Sequence, residues 1–271
     1  MDDVNWRAIP APYTETACDR ILAAMPAKAA LFATGSNVDN HQGRDILDRF
    51  AKPRHILGNH TWTHRGYDSV EPEWFERDIL QNETLLKSWP NYRKIFRFPM
   101  LKEGKTAARR DTLRRFLADH GYRNGSVTID TSDWYYDQRL RERLTKEPKF
   151  DVARYREPYL ERLWSHAGYY NDLSLKVLGH SIPHTILVHY NLINTLFLAD
   201  AVAMFKKRGW DIISAEDAFE DPVFTRQPQT APAGESLVWA LAKETGKFES
   251  ILRYPGEDDV YEKATLDKLG L

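Results

Sequence analysis

Short apolar runs rich in β-formers alternate with amphipathic segments along most of the chain, and this alternation predicts an α/β fold on a mainly parallel sheet. Two further observations agree with it. The 271 residues are 42% hydrophobic and include 8 Trp, 13 Tyr and 12 Phe, enough to build a substantial core. Polar and ionisable residues fall just after the apolar runs, where the strands of a parallel sheet bring their carboxyl ends to one rim.

In chain order the predicted strands are residues 29–33, 54–57, 95–98, 126–129, 185–188 and 210–213, each a short apolar run closed by polar residues or glycine. Helical spacing of apolar positions predicts helices over 14–25, 45–51, 71–89, 106–120, 155–177 and 194–208. Segment 71–89 is typical, with Trp74, Phe75, Ile79, Leu85, Leu86 and Trp89 on or near one face. Residues 135–154 are rich in charge and poor in apolar side chains, and read as a solvated excursion or as a flap over a groove. The body of the fold is expected over residues 1–220. Residues 221–271 open with Pro222, Pro228 and Pro232 and read as an extended arm followed by short helices packed on that body.

Composition removes several function classes. With 38 basic and 39 acidic residues the formal charge is -1, so no global field recruits nucleic acid or an anionic membrane. Neither glycine-rich phosphate motif occurs, which removes sequence support for nucleotide binding. No run approaches the roughly 18 apolar residues of an integral membrane segment. The single cysteine, Cys18, leaves His, Asp and Glu as the residues from which a metal site would be built.

The strand ends carry the candidate chemistry. After 54–57 comes Gly58-Asn59-His60-Thr61-Trp62-Thr63-His64, with two imidazoles four residues apart. That spacing suits one metal ion given a third ligand, and equally suits two histidines with ordinary hydrogen bonds. Asp2-Asp3 can be a solvated start, or a pair in which one carboxylate ligates and the other accepts a proton from water. Arg97-Phe98-Pro99-Met100 ends the next strand, Asp130-Thr131-Ser132-Asp133-Trp134 the one after, and His189 follows the apolar run 185–188. A lone histidine there is more often structural, but five such coincidences on one rim point to a site.

Together these residues resemble, in order and spacing, the five motifs of polysaccharide deacetylases with the NodB homology domain, carbohydrate esterase family 4. The likeness spans residues 2 to about 213, with H-[ST]-x-x-H and D-x-x-D-W present in full. It implies a distorted (β/α) barrel of about seven strands and a hydrolase that removes N- or O-linked acetyl groups from a polysaccharide or oligosaccharide. By the same likeness Asp3, His60 and His64 would bind one divalent metal, usually zinc, and Asp2 would be the general base. Arg97 would orient Asp2, His189 would be the general acid, and Asp130 would support the charged ring. Trp134, Met100 and Trp62 would line the substrate site, and the partner would be an acetylated sugar polymer or oligomer.

The sequence departs from the family pattern in three places. Met1 precedes the Asp dyad, Val4 follows it, and Met100 stands where tyrosine is common, although its backbone N–H can still serve an oxyanion. The first strand, expected just before Asp2, reads as truncated. That predicts either a start farther upstream, with periplasmic or secreted location if a leader lies there, or a gap that leaves the dyad poorly fixed. Two other functions therefore stay open: a non-catalytic carbohydrate-binding module, and an amidohydrolase on a small amide or ureide.

Overall fold

The computed structural model describes residues 1–253 and 258–271, the side chains of Asp258 and Asp259 excepted. Its centre is a parallel sheet of β1 (Ala30–Ala33), β2 (Ile56–Asn59), β3 (Tyr92–Phe96) and β5 (Arg123–Asn124), in that order. A separate antiparallel pair joins β4 (Lys102–Gly104) to β6 (Ala233–Gly234). The strands are short apolar runs for a physical reason: each residue of β1 and β2 is buried, and full burial of one aliphatic or aromatic side chain contributes about 1.5–3 kcal/mol.

Single-residue bridges carry the pairing beyond the four strands. Asp2 pairs in parallel with Phe32 on one side and with His189 on the other, and Ile129 pairs with Ile186. The Asp2 N–H donates to the Val188 carbonyl at 2.9 Å, and the Tyr190 N–H donates to the Asp2 carbonyl at 3.0 Å. On the opposite edge the Phe32 N–H donates to Met1 and the Asp3 N–H to Phe32. The short first strand therefore does not leave the dyad loose. Met1 and Asp2 are buried and hydrogen-bonded on both sides, because they fill the strand position between the 30–33 and 186–190 segments. Inside this arrangement Phe32 packs so tightly against Gly58 that a Cβ there would lie 2.7 Å from its ring.

Helices α1 (Tyr13–Ala24), α3 (His41–Ala51), α4 (Pro72–Leu86) and α5 (Ala107–Asp119) follow or precede the strands as the periodicity predicts, and the single turn α2 (Gly35–Val38) lies outside those runs. Further along are α6 (Asp133–Lys146), α7 (Arg156–Leu178), α8 (Leu192–Lys207) and α9 (Ala215–Phe219), then α10 (Leu237–Thr245) and α11 (Asp258–Leu269) in the C-terminal stretch. Side-chain caps fix several starts: Asn40, Thr106, Asn191 and Ser236 each accept from a backbone N–H three residues on. No helix among the described residues is long and apolar enough to cross a membrane.

Two expectations fail. Residues 135–154 are not a solvated excursion: α6 occupies most of them and buries Tyr135, Tyr136, Asp137 and Leu140. Its mixed face hid the helix, since buried tyrosines and an aspartate at helical spacing do not register as an apolar stripe. Residues 210–213 form no strand. Trp210 turns inward onto Phe205 and Trp164, and the one ladder-like bond nearby runs from the Ala215 N–H to Lys28. Beside this segment lies a cavity of about 530 Å³ lined by Met25, Ala30, Ile182, Ile186 and Trp210 among others, so the segment has no strand to pair with there.

Candidate active site

The loop after β2 is built by buried amides rather than by apolar contacts. Asn59 donates to the Ile79 carbonyl and the Tyr122 hydroxyl, and its Oδ1 accepts from Asn82 of α4 and from the Thr61 N–H at 2.9 Å. One helical turn before Asn82, Asp78 accepts from both the N–H and the hydroxyl of Thr63. Thr61 in turn accepts from the His64 N–H at 3.0 Å. This lattice holds Thr61 and His64 at φ of 65° and 59°, a left-handed conformation that costs non-glycine residues energy and needs such support. Asp3, Met100 and Ser132 share the conformation, so the strain gathers in the motif loops.

The result sets two imidazoles against each other, His60 and His64, with ring centroids 4.8 Å apart. His60 Nδ1 lies 2.8 Å from the Arg97 carbonyl, which can only accept, so Nδ1 carries the proton and Nε2 keeps its lone pair. Burial pushes His60 down to about 3 and lowers His64 as well, so both rings are neutral near pH 7. Neutral imidazole is the ligating form.

The Asp dyad divides. Asp2 is 2% exposed, and its Oδ2 accepts from Arg97 Nη1 at 2.8 Å. Its Oδ1 is buried and accepts no hydrogen bond, with the Met1 amino group 3.8 Å away. Burial opposes its charge, but Arg97 first, then His60, the amino terminus and His189 hold the carboxyl below the usual carboxylate range. Arg97 is itself buried, donates through Nε to Gly125 and lies over the Phe32 ring. Asp3 is only partly buried, and its Oδ1 accepts from Asn37 Nδ2 at 2.6 Å. Both carboxylates bear on the charge of His60, His64 and His189, which places all five groups in one field.

His189 faces a different carboxylate from the one expected. Its Nδ1 lies 2.6 Å from Asp133 Oδ1, while Asp133 Oδ2 accepts from the His189 N–H, Asn191 and Asn194. Burial would lower this histidine, but the Asp133 charge and hydrogen bond outweigh it and raise it to about 9. Asp133 begins α6, where the helix dipole further favours its ionised form. Asp130 does not fill this position. Its Oδ1 accepts from the Ser132 N–H and its carbonyl faces His166 Nδ1, so its carboxylate caps a turn and its charge bears on Arg97. The motif spacing showed two aspartates without showing which one turns inward.

The wall residues differ in character. Trp134 is 40% and Met100 56% exposed, and both are open to a ligand. Trp62 is half-buried and covers the start of α2, where its carbonyl accepts from the Ser36 N–H. The supporting residues Asn37, Asp78, Asn82, Asn191 and Asn194 escaped sequence reading, because an isolated amide or carboxylate within or at the start of a helix carries no signal of its own.

The donors suit a divalent ion in kind: a neutral imidazole with a free Nε2, a second neutral imidazole against it, and a partly exposed carboxylate. Among the described residues no three His, Cys, Asp or Glu side chains already stand in a closed metal-holding group. Asp2 Oδ1, which accepts no hydrogen bond, is a further polar atom that a bound water would satisfy.

Residues 3–125 match the model of the polysaccharide deacetylase family. A peptidoglycan-N-acetylglucosamine deacetylase from Bacillus cereus is 24% identical over 107 residues, 40% of this chain; the match spans only 36% of that protein. Among solved structures, peptidoglycan deacetylase PdaC from Bacillus subtilis superposes with a TM-score of 0.55 at 18% identity, over 81% of this chain and 87% of that one. A family 4 carbohydrate esterase from Streptomyces lividans, in complex with acetate, gives 0.51 at 17%, over 80% and 92%. A family 4 pseudoenzyme from Bacillus anthracis gives 0.52 at 18%, over 80% and 63%. At these identities the structural likeness speaks for the fold alone, and Asp133 and His189 lie beyond the matched span, so their pairing rests on geometry. Motifs, the match over residues 3–125 and the fold agree in their likeness to the polysaccharide deacetylases of carbohydrate esterase family 4.

Proposed function

We propose that the chain is a metal-dependent deacetylase that hydrolyses acetyl groups, N-linked ones foremost, on a sugar polymer or oligomer. One observation carries this reading: Asp2, a carboxylate with one oxygen outside any hydrogen bond, and His189, held protonated by Asp133, share one electrostatic field with the same pair of neutral imidazoles. Asp3, His60 and His64 would hold the metal. When bound, a divalent ion there supplies Lewis acidity to the acyl oxygen and to water.

The protein's own groups do the proton work. Arg97 occupies Asp2 Oδ2, so only Oδ1 is available to take a proton as water attacks the acyl carbon. His189 commits Nδ1 to Asp133 and keeps its second proton on Nε2 for the leaving amine, so the C–N bond breaks as nitrogen gains that proton. An amine is a poor leaving group without it, which is why a histidine raised to about 9 suits an amide substrate.

The B. cereus relative is described as acting on peptidoglycan N-acetylglucosamine, so N-acetylglucosamine oligomers and peptidoglycan are the first substrates to try. Acetate release that stops with chelator and returns with added zinc supports the reading. A metal-loaded protein that binds the polymer and releases no acetate would favour a non-catalytic carbohydrate-binding role. The presence of a pseudoenzyme among the similar folds makes that outcome worth measuring.

A further inference from the structure

The turn after Arg97 is unusually constrained. Met100 and Leu101 both sit at positive φ, 53° and 54°, a strained pair that must be held from outside. Among the described residues the Met100 N–H has no hydrogen-bond partner, whereas the next N–H, that of Leu101, donates to Phe98 at 3.0 Å. Arg97, three residues earlier, binds Asp2 through its side chain and His60 through its carbonyl. A shift of this turn is therefore transmitted to the reacting groups.

What holds the turn comes from the C-terminal arm. β6 pairs antiparallel with β4, Lys102 opposite Gly234, and the Glu235 N–H donates to the Leu101 carbonyl at 2.8 Å. Glu235 also forms an ion pair with Lys102. At Gly234, with φ of 116°, a Cβ would overlap the Leu101 carbonyl oxygen, so glycine alone allows the approach. The arm then crosses to the neighbouring strand segment. The buried Ser236 hydroxyl donates to the Thr128 carbonyl at 2.8 Å, and the Leu237 N–H donates to Val127 at 2.7 Å. Beneath this crossing Leu101, Val127 and Leu187 form a separate apolar cluster that joins the Arg97, Asp133 and His189 segments.

We infer that residues 233–237 are a positioning strap that keeps the Met100 N–H directed at the developing oxyanion. This rests on the deacetylase reading above. Gly234 and Glu235 are positioning residues: they touch the turn, not the substrate. Loss of one oxyanion donor costs about 100- to 1,000-fold in kcat, so partial displacement of the turn should cost about 10-fold.

Gly234→Ala tests this, with Lys102→Met as the milder variant. Three quantities are read: amide hydrogen exchange over residues 97–105 by mass spectrometry, kcat and KM on an N-acetylglucosamine oligomer and on an aryl acetate, and bound zinc. Exchange should rise about 10-fold in that peptide for Gly234→Ala, and kcat should fall about 10-fold on both substrates, since both pass through an oxyanion. KM and zinc content should hold within twofold. Should Gly234→Ala not fold, Lys102→Met is expected to move the same quantities by about threefold, the reach of one partly exposed ion pair. Unchanged exchange overturns the strap, and raised exchange with intact kcat reduces it to a structural staple. A wild type that releases no acetate sinks the deacetylase reading and the oxyanion role with it, while unchanged exchange in the variants would separately deny that the arm fixes the turn.

Discussion

Asp2 and Asp3 are neighbours in sequence with opposite surroundings, one sealed beside Arg97 and one partly open beside Asn37. Replacing Asp2 by Asn should leave bound zinc unchanged and lower turnover by at least about 100-fold, because an amide keeps the shape and cannot take the proton from water. Asp3→Asn should lose zinc instead, and identical behaviour of the two variants would refute the division. The paired histidine separates substrates. His189→Ala should lose about 100-fold or more on N-acetyl sugars and far less on an aryl acetate, whose phenolate leaves unaided. Asp133→Asn should share much of that loss and Asp130→Asn should not, and rates on the two substrates decide between them. The pair also links to stability. His189 is raised from 6.5 to about 9, so its contribution is complete below about pH 6.5 and fades as pH climbs through about 9. The Tm of wild type should therefore fall more steeply between pH 6.5 and 9.5 than that of His189→Gln, and parallel curves would show that the pair adds nothing.

At the level of elements, α4 does more than cover the sheet, since Asp78 and Asn82 on its inner face hold the His60–His64 loop. Asp78→Ala removes the buried carboxylate that takes both donors of the exposed Thr63 and should cost about 0.5–1.5 kcal/mol, with weaker zinc binding, as measured by denaturant unfolding and metal titration. Loss of stability without loss of zinc affinity would show that the loop holds itself. Helices with a one-sided apolar stripe, such as α1, α4 and α8, were legible in the sequence to within a few residues. α6 was not, because its buried face is made of Tyr135, Tyr136 and Asp137, whose burial is set by partners distant in sequence, among them the Ile193 N–H on Asp137. The 210–213 run departs from expectation for the opposite reason: it has the composition of a strand and no ladder to join.

Across the whole molecule, the rim of the sheet gathers residues as far apart as Asp2, Arg97, Asp133 and His189, and parallel strands running in one direction account for this. That convergence could be read from motif order, since each motif closes an apolar run. The choice of Asp133 over Asp130, the service of Asn37 to Asp3 and the anchoring of the Met100 turn by residues 233–237 could not, because they depend on which way a side chain turns after the strand ends. The central claim is that these groups form one hydrolytic centre. Its most direct test is acetate release from an N-acetylglucosamine oligomer by zinc-loaded wild type, measured beside Asp2→Asn with the same zinc content. Acetate from wild type and at least about 100-fold less from the variant is the expected result. Equal rates, or none from a folded, zinc-bearing wild type on either the oligomer or peptidoglycan, would contradict it.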